Sequence, residues 1–319
     1  MMNRKYKLLI LKIISLFSVI RGYNIPIIII AQYLSAIFIL NPEERALDIL
    51  LDFNLFLMVF ASAITIASGY IINNFYDAKK DLINRPHKTM LDRLVSQTTK
   101  LRVYFSLNFI AALMGLVVSW RACLFFSVYI FLVWLYSHKV KKHPFVGNFM
   151  AAILAIFPFF ALLLYYYYRV PFEELENQKG HFVVIFAHAG FLFLLILIRE
   201  MVKDLENIKG DLANNYQTIP IVYGITTSKT LISLLTLATI IPVYILIEMY
   251  DVGYMDLYFY FSFLVLLFFL LILWKAEKKS RFLMLHNLLK FLIVSGVFCI
   301  ILINPSVLWH GKKVLLSCY

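Results

Sequence analysis

Residues 73–86 read Asn73-Asn74-Phe75-Tyr76-Asp77-Ala78-Lys79-Lys80-Asp81-Leu82-Ile83-Asn84-Arg85-Pro86, and they follow directly on the apolar run FNLFLMVFASAITIASGYII of residues 53–72. An apolar run of about 20 residues is long enough to cross the hydrocarbon core of a bilayer as a helix. The polar stretch is therefore the place where a membrane span leaves the membrane. Asn73, Asp77 and Asp81 are spaced by four. On a helix each such step advances about 40°, so the three side chains form one stripe. All three offer oxygen, which suits Mg²⁺, a hard cation that keeps several waters and binds best when substrate phosphate completes its shell.

Outward from this stretch the chain stays apolar. Of 319 residues, 62% are hydrophobic and 15% charged, with mean hydropathy +0.82. A soluble domain carries about a quarter charged residues, so the composition excludes an ordinary soluble protein. Candidate spans are 24–40, 53–76, 103–119, 122–137, 147–168, 183–202, 229–249, 257–274 and 286–304. The expected fold is an all-α, polytopic bundle of about nine transmembrane helices, forming a single domain over 1–319. Residues 3–20 are expected to form an amphipathic interfacial helix. Lys12 interrupts the apolar run there and no small-residue cleavage site follows, which argues against a signal peptide. Cys123, Cys299 and Cys318 share no metal-binding spacing.

Net charge is +12, and 24 of the 30 Lys and Arg fall at the amino terminus and in the loops after spans two, four, six and eight. The other side holds Arg45, Arg121, Arg169, Lys179, Lys312 and Lys313. This bias predicts a cytoplasmic amino terminus, with those four loops inside. In a membrane protein such cations set orientation and meet anionic head groups, so they do not indicate nucleic acid. Trp120, Trp134, Trp274 and Trp309, with Tyr165 to Tyr168, lie near span ends and are expected as interfacial anchors.

The second polar helix end is Arg199-Glu200-Met201-Val202-Lys203-Asp204-Leu205-Glu206-Asn207-Ile208-Lys209-Gly210-Asp211, closing the sixth span. Glu200, Asp204, Asn207 and Asp211 keep one helical face, with Lys203 beside it. Of the 18 acids, ten lie on the outer side, Glu43-Glu44 and Glu173-Glu174 among them, and six of the inner eight fall in these two segments. Ionised groups at or inside the bilayer boundary are costly and usually functional. The two segments end spans two and six, which suggests two four-helix halves, each bringing one acidic stripe. Lys79, Lys80 and Lys209 are expected to be ordinary solvated charges.

With both motifs in view, the chain resembles the intramembrane prenyltransferases of the UbiA superfamily. That family carries an Asn-x-x-x-Asp-x-x-x-Asp motif after helix two, often followed by Asn-Arg-Pro, as Asn73, Asp77, Asp81 and Asn84-Arg85-Pro86 do here. The second motif is similar in form to that of the family's digeranylgeranylglyceryl phosphate synthases and homogentisate-type members, with Asn207 where those commonly carry Asp. Arg21 to Asn24 before helix one, Tyr136-Ser137-His138-Lys139 through Lys142, and Gly147-Asn148 also fit.

The resemblance implies Mg²⁺-dependent transfer of an isoprenoid from a prenyl diphosphate, such as geranylgeranyl diphosphate, to an acceptor. The acceptor is a geranylgeranylglycerol-phosphate-type lipid or, alternatively, an aromatic ring of quinone, tocopherol or haem biosynthesis. It implies metal ligands Asn73, Asp77, Asp81, Glu200, Asp204, Asn207 and Asp211, with Asp77, Asp204 and Lys203 as catalytic residues. Substrate contacts are expected from Arg21, Asn24, Arg85, Lys88, Tyr136, Lys139 and Asn148. Lys139, Lys141 and Lys142 serve equally well as orientation charges. The expected location is the cell (inner) membrane with the site facing the cytoplasm.

No general base is evident. His87, His138 and His143 are expected at the surface. His188, inside the sixth span, is expected to be a hydrogen-bonded core residue or to line the acceptor pocket. A cation transporter is the alternative of another class, but its site would sit near the midplane rather than at one face.

Overall fold

A computed structural model describes residues 4–168, 179–250 and 252–309. Arg169, Glu173, Glu174, Lys312, Lys313 and Cys318 lie outside these residues, and the side chains of Lys179 and Trp309 are not described. Every regular element among the described residues is a helix, and none is a strand.

Helix α1 spans Arg4–Val19 and exposes Ile10, Ile13, Ile14 and Phe17 while burying Ser15 and Val19. Helix α2, Ile25–Ser35, carries Pro in its first turn, where no intrahelical N–H is needed. It continues through a π-helical turn, Ala36–Leu40. Helix α3 is Ala46–Leu51. Helix α4, Phe53–Asn84, opens with Asp52 as cap, its carboxylate accepting from the N–H groups of Asn54 and Leu55. It stops at Arg85 because Pro86 disfavours a helical residue before it. Helix α5 is Pro86–Asp92.

Helices α6 (Gln97–Val118) and α7 (Trp120–His138) are capped by Ser96 and Ser119. A 3₁₀ turn, Val140–Lys142, leads to helix α8, Val146–Tyr167. Helix α9 is Lys179–Ala213, followed by α10 (Ile219–Val222) and α11 (Gly224–Ala238). Helix α12, Ile240–Tyr244, runs into a second π-helical turn, Ile245–Met249. Helices α13 (Asp256–Lys275) and α14 (Lys279–Cys299) complete the bundle.

Among the described residues, eight helices are long and apolar enough to cross a membrane, and the shorter apolar helices Ile10–Val19 and Ile25–Leu40 accompany them. The expected nine spans are roughly matched, the first being the short one. The chain is a multi-pass membrane protein. At about 1.5 Å per residue, α4 (32 residues) runs to about 48 Å and α9 (35 residues) to about 52 Å. Both exceed a hydrocarbon core of about 30 Å, so their last turns stand clear of it. Both polar segments therefore lie on helix rather than in a loop. A central core that includes Leu55, Met58, Phe126, Tyr129, Leu162, Ile198 and Phe259 holds the helices together.

Candidate active site

The polar C-terminal ends of α4 and α9 meet over one polar cavity. Asn73, Asp77, Lys80, Asp81 and Arg85 line it from α4 and its end, and Glu200, Lys203, Asp204 and Asn207 from α9. Arg21, Tyr136, Lys141, Gly147, Asn148 and Thr218 close it. Asn73, Asp77, Asp81, Glu200, Asp204 and Asn207, expected as ligands, thus share one space. So do Arg21, Arg85, Tyr136, Asn148 and Lys203.

Four expected residues do not line it. Asp211 is fully buried and pairs with Lys80 Nζ at 2.6 Å. Asn24 donates to the Tyr70 hydroxyl at 3.3 Å, beneath the Arg21 guanidinium, which stands 5.0 Å from the Tyr70 ring centre. Asn24 therefore supports Arg21 through a shared neighbour. Lys139 is exposed. Lys88 is half-buried, and its ammonium is pushed below its ordinary pKa by burial and next by the Arg21 charge.

Each stripe is paired with basic and polar side chains, some from its own helix and some from other elements. Lys141 Nζ lies 2.7 Å from Asp77 Oδ1 and donates to Asn73 Oδ1 at 2.9 Å. Tyr216 donates its hydroxyl to the same Asp77 oxygen at 2.6 Å, and Lys80 sits over the Tyr216 ring at 4.2 Å. Burial, and next the Asp77 carboxylate, hold the Tyr216 phenol well above its ordinary pKa, so it stays a donor. Asn148 donates to Asp204 Oδ2 at 2.7 Å. Glu200 pairs with Lys203 at 2.5 Å and with Arg199 at 3.2 Å. Glu206, at the rear of the α9 stripe, takes Arg85 at 3.4 Å and His286 at 3.5 Å.

Lys80 and Tyr216 are the additions that sequence reasoning missed, and Lys141, weighed there between orientation charge and substrate contact, joins them in the site. Lys80, expected to be solvated, lines the cavity instead because α9 closes over it. Its spacing of three from Asp77 was the available signal, since residues three apart share a helix face. Lys141, rather than Lys139, enters the site because the 3₁₀ turn after α7 turns its side chain inward while Lys139 and Lys142 stay exposed. His188 bonds the Val184 carbonyl of its own helix at 2.8 Å, as a core histidine does.

Backbone strain gathers here too. Among the described residues the non-glycine positions with positive φ are Arg21 (49°), Phe145 (58°) and Asn215 (56°). Arg21 lines the cavity, Phe145 lies between Lys141 and Asn148, and Asn215 precedes Tyr216. Such conformations persist where surrounding structure over-determines them, which is common at binding sites.

The donors fit a hard divalent cation. Among the described residues no three His, Cys, Asp or Glu side chains gather into a ready-made metal cluster, so carboxylates alone do not complete a shell. Amide oxygens fill out the set. Asn207 donates its Nδ2 to the Lys203 carbonyl at 2.8 Å, and its Oδ1 is buried without a hydrogen-bond partner. That orphaned oxygen is a ligand in waiting, which makes Asn in place of Asp compatible with metal binding.

The UbiA prenyltransferase family model matches residues 33–289. The chain belongs to that family. A digeranylgeranylglyceryl phosphate synthase of Thermococcus sibiricus is 32% identical over 192 residues, 59% of this chain and 61% of that protein. The one from Methanobrevibacter smithii is 26% identical over 249 residues, 75% of this chain and 80% of that protein. The match thus spans about three fifths of the Thermococcus relative's length. Among solved structures, one concerning digeranylgeranylglyceryl phosphate synthase in membranes superposes with TM-score 0.65 at 19% identity, covering 92% of this chain and 98% of the other. A UbiA homologue from Archaeoglobus fulgidus, bound to GPP and Mg²⁺, gives 0.63 at 13% identity, covering 90% and 99%. At these identities the superpositions establish the fold.

Proposed function

We propose that this membrane protein transfers an isoprenoid chain from a prenyl diphosphate, geranylgeranyl diphosphate in the first instance, to a geranylgeranylglycerol-phosphate-type lipid. The observation that carries the reading is the pair of oxygen-bearing stripes facing a single cavity whose remaining wall is cationic. Asn73, Asp77 and Asp81 from α4, with Glu200, Asp204 and Asn207 from α9, are the residues that would hold Mg²⁺. When bound, Mg²⁺ supplies Lewis-acid neutralisation of the diphosphate charge. The protein does the rest. Arg21 and Arg85 offer forked donors to phosphate oxygens, and Lys203 a point charge. Asn148 orients the Asp204 carboxylate. The allylic C–O bond breaks, the acceptor oxygen bonds to the freed carbon, and diphosphate and a proton are released.

The acceptor assignment is supported by the names of the curated relatives. The Lys and Arg bias supports a cell-membrane location with the cavity facing the cytoplasm. Mass spectrometry tests the reading. Purified protein with Mg²⁺ and geranylgeranyl diphosphate is offered geranylgeranylglycerol phosphate and 4-hydroxybenzoate in parallel. A diether phosphate is expected. A prenylated aromatic as sole product overturns the acceptor, and absence of any prenylated product overturns the activity.

A further inference from the structure

We propose that Lys141 is a built-in counter-cation, seated without metal between Asn73 and Asp77 and released from that seat when a divalent cation enters. The inference rests on the proposed metal site and concerns how that site is kept before loading.

The geometry carries it. One ammonium group bonds both Asn73 Oδ1, at 2.9 Å, and Asp77 Oδ1, at 2.7 Å. These are side chains four apart on α4, two of the three that would hold a metal from this stripe. Asn73 has a single side-chain oxygen, and Lys141 uses it. Asp77 Oδ1 also accepts from Tyr216 at 2.6 Å, so both of its lone pairs are engaged. A divalent cation on the same two oxygens would stand within a few ångströms of the ammonium, and their repulsion, beside groups as buried as Asp77 and Lys141, disfavours both staying.

The other cavity cations have partners other than Asn73 and Asp77, Arg21 lying against the Tyr70 ring. Lys80 pairs with Asp211, Lys203 with Glu200 and Arg85 with Glu206. Lys141 itself is 9% exposed, and a buried Asp77 without metal or ammonium would leave an unpaired charge near the membrane. Its flexible four-carbon stem lets the head group move while the backbone stays.

Two consequences follow. Metal binding without substrate is weak, because it must displace the ammonium. Diphosphate offers the displaced ammonium a new partner, so metal and diphosphate bind cooperatively, each raising the other's affinity by the same factor.

The test is an electron paramagnetic resonance titration of the detergent-solubilised full chain with Mn²⁺, without prenyl diphosphate. Lys141→Gln is expected to bind Mn²⁺ about tenfold more tightly than wild type, and Lys141→Arg like wild type. Inorganic diphosphate should tighten Mn²⁺ binding in wild type and much less in Lys141→Gln. Equal or weaker Mn²⁺ binding by folded Lys141→Gln overturns the proposal. A footprint on wild type needs no variant and decides the matter if Lys141→Gln does not fold. Amine acylation read by mass spectrometry should rise several-fold at Lys141 when Mg²⁺ is added, with exposed Lys139 as the unchanged reference. No rise overturns the proposal. Neither readout needs turnover, so a Mg²⁺-dependent prenyltransferase with an unresponsive Lys141 refutes this inference alone, and a responsive Lys141 without prenyl transfer refutes only the proposed reaction.

Discussion

The side-chain oxygen of Asn84 accepts a hydrogen bond from the backbone N–H of Gly210 at 3.2 Å, across 126 residues of sequence. This contact draws the last turn of α4 onto the last turns of α9 and so brings the two stripes to one cavity. The Asn84 carbonyl also takes Lys279 Nζ at 2.8 Å, which ties α14 to the same point. A Cβ on Gly210 would overlap the Asn84 amide.

Gly210→Ala is therefore expected to cost about 1–3 kcal/mol of stability through overpacking and to lower activity by separating the stripes. The two residues touch, so the effects should not add. Gly210→Ala with Asn84→Ala should recover part of the loss of the first change alone. Thermal melts and initial rates for the three variants check this. A Gly210→Ala protein with wild-type melting and rate would show that the helix ends approach by other contacts.

Asp77→Ala and Asp204→Ala should each abolish product formation while the protein remains inserted and monodisperse. Asp77 and Asp204 lie on different stripes and have different partners, Lys141 with Tyr216 and Asn148. Neither stripe can replace the other's oxygens. Chelation with EDTA should stop wild-type turnover, and added Mg²⁺ should restore it. Full activity of either variant, or unchanged activity in EDTA, would refute a site assembled from both stripes.

The spans and stripes were legible because their signals are local. Long apolar runs report burial in lipid, and spacings of four report one helical face. What closes the site is not local. Lys141 and Tyr216 reach Asp77 from segments 64 and 139 positions along the chain, and no periodicity records that approach. The same holds for a buried network behind the site. Lys100 Nζ donates to Asn74 Oδ1 at 2.8 Å, Asn74 Nδ2 to Asp92 Oδ2 at 3.0 Å, and Ser18 Oγ to Asp92 Oδ1 at 2.8 Å. Sequence alone counts Lys100 as an orientation charge, yet it is 2% exposed and fastens α6 to α4, while Asp92 fastens α1. Asp211 shows the converse. Its spacing matches the stripe, but Lys80 takes it out of the cavity.

Orientation is open to direct measurement. Because Lys100 is buried, a reporter cysteine belongs two residues earlier, at exposed Thr98, paired with one at exposed Glu44 across the membrane. In intact cells an impermeant thiol reagent should label Glu44→Cys from outside and Thr98→Cys only after permeabilisation. The free Cys123 and Cys299 and Cys318 are replaced by Ser first. Labelling of Thr98→Cys in intact cells would invert the topology and put the cavity outside.

The acceptor's charge sets a last prediction. Lys139 and Lys142 are exposed on the turn that delivers Lys141 into the cavity, and Lys142 Nζ stands 5.7 Å from the Tyr216 ring centre. Neither lines the cavity, so neither should hold the diphosphate. Both are placed to meet an anionic lipid at the membrane surface, where each nearby cation contributes roughly 1 kcal/mol. Lys139→Gln with Lys142→Gln should then raise KM for geranylgeranylglycerol phosphate by about tenfold at low ionic strength, and less at high salt because the interaction is screened. KM for geranylgeranyl diphosphate should change less than twofold. A neutral glycerol acceptor with the same isoprenoid tail should be unaffected by the double change. Equal increases for donor and acceptor would leave these lysines as orientation charges alone, and an effect that persists at high salt would mean that the turn itself, not its charge, had been disturbed.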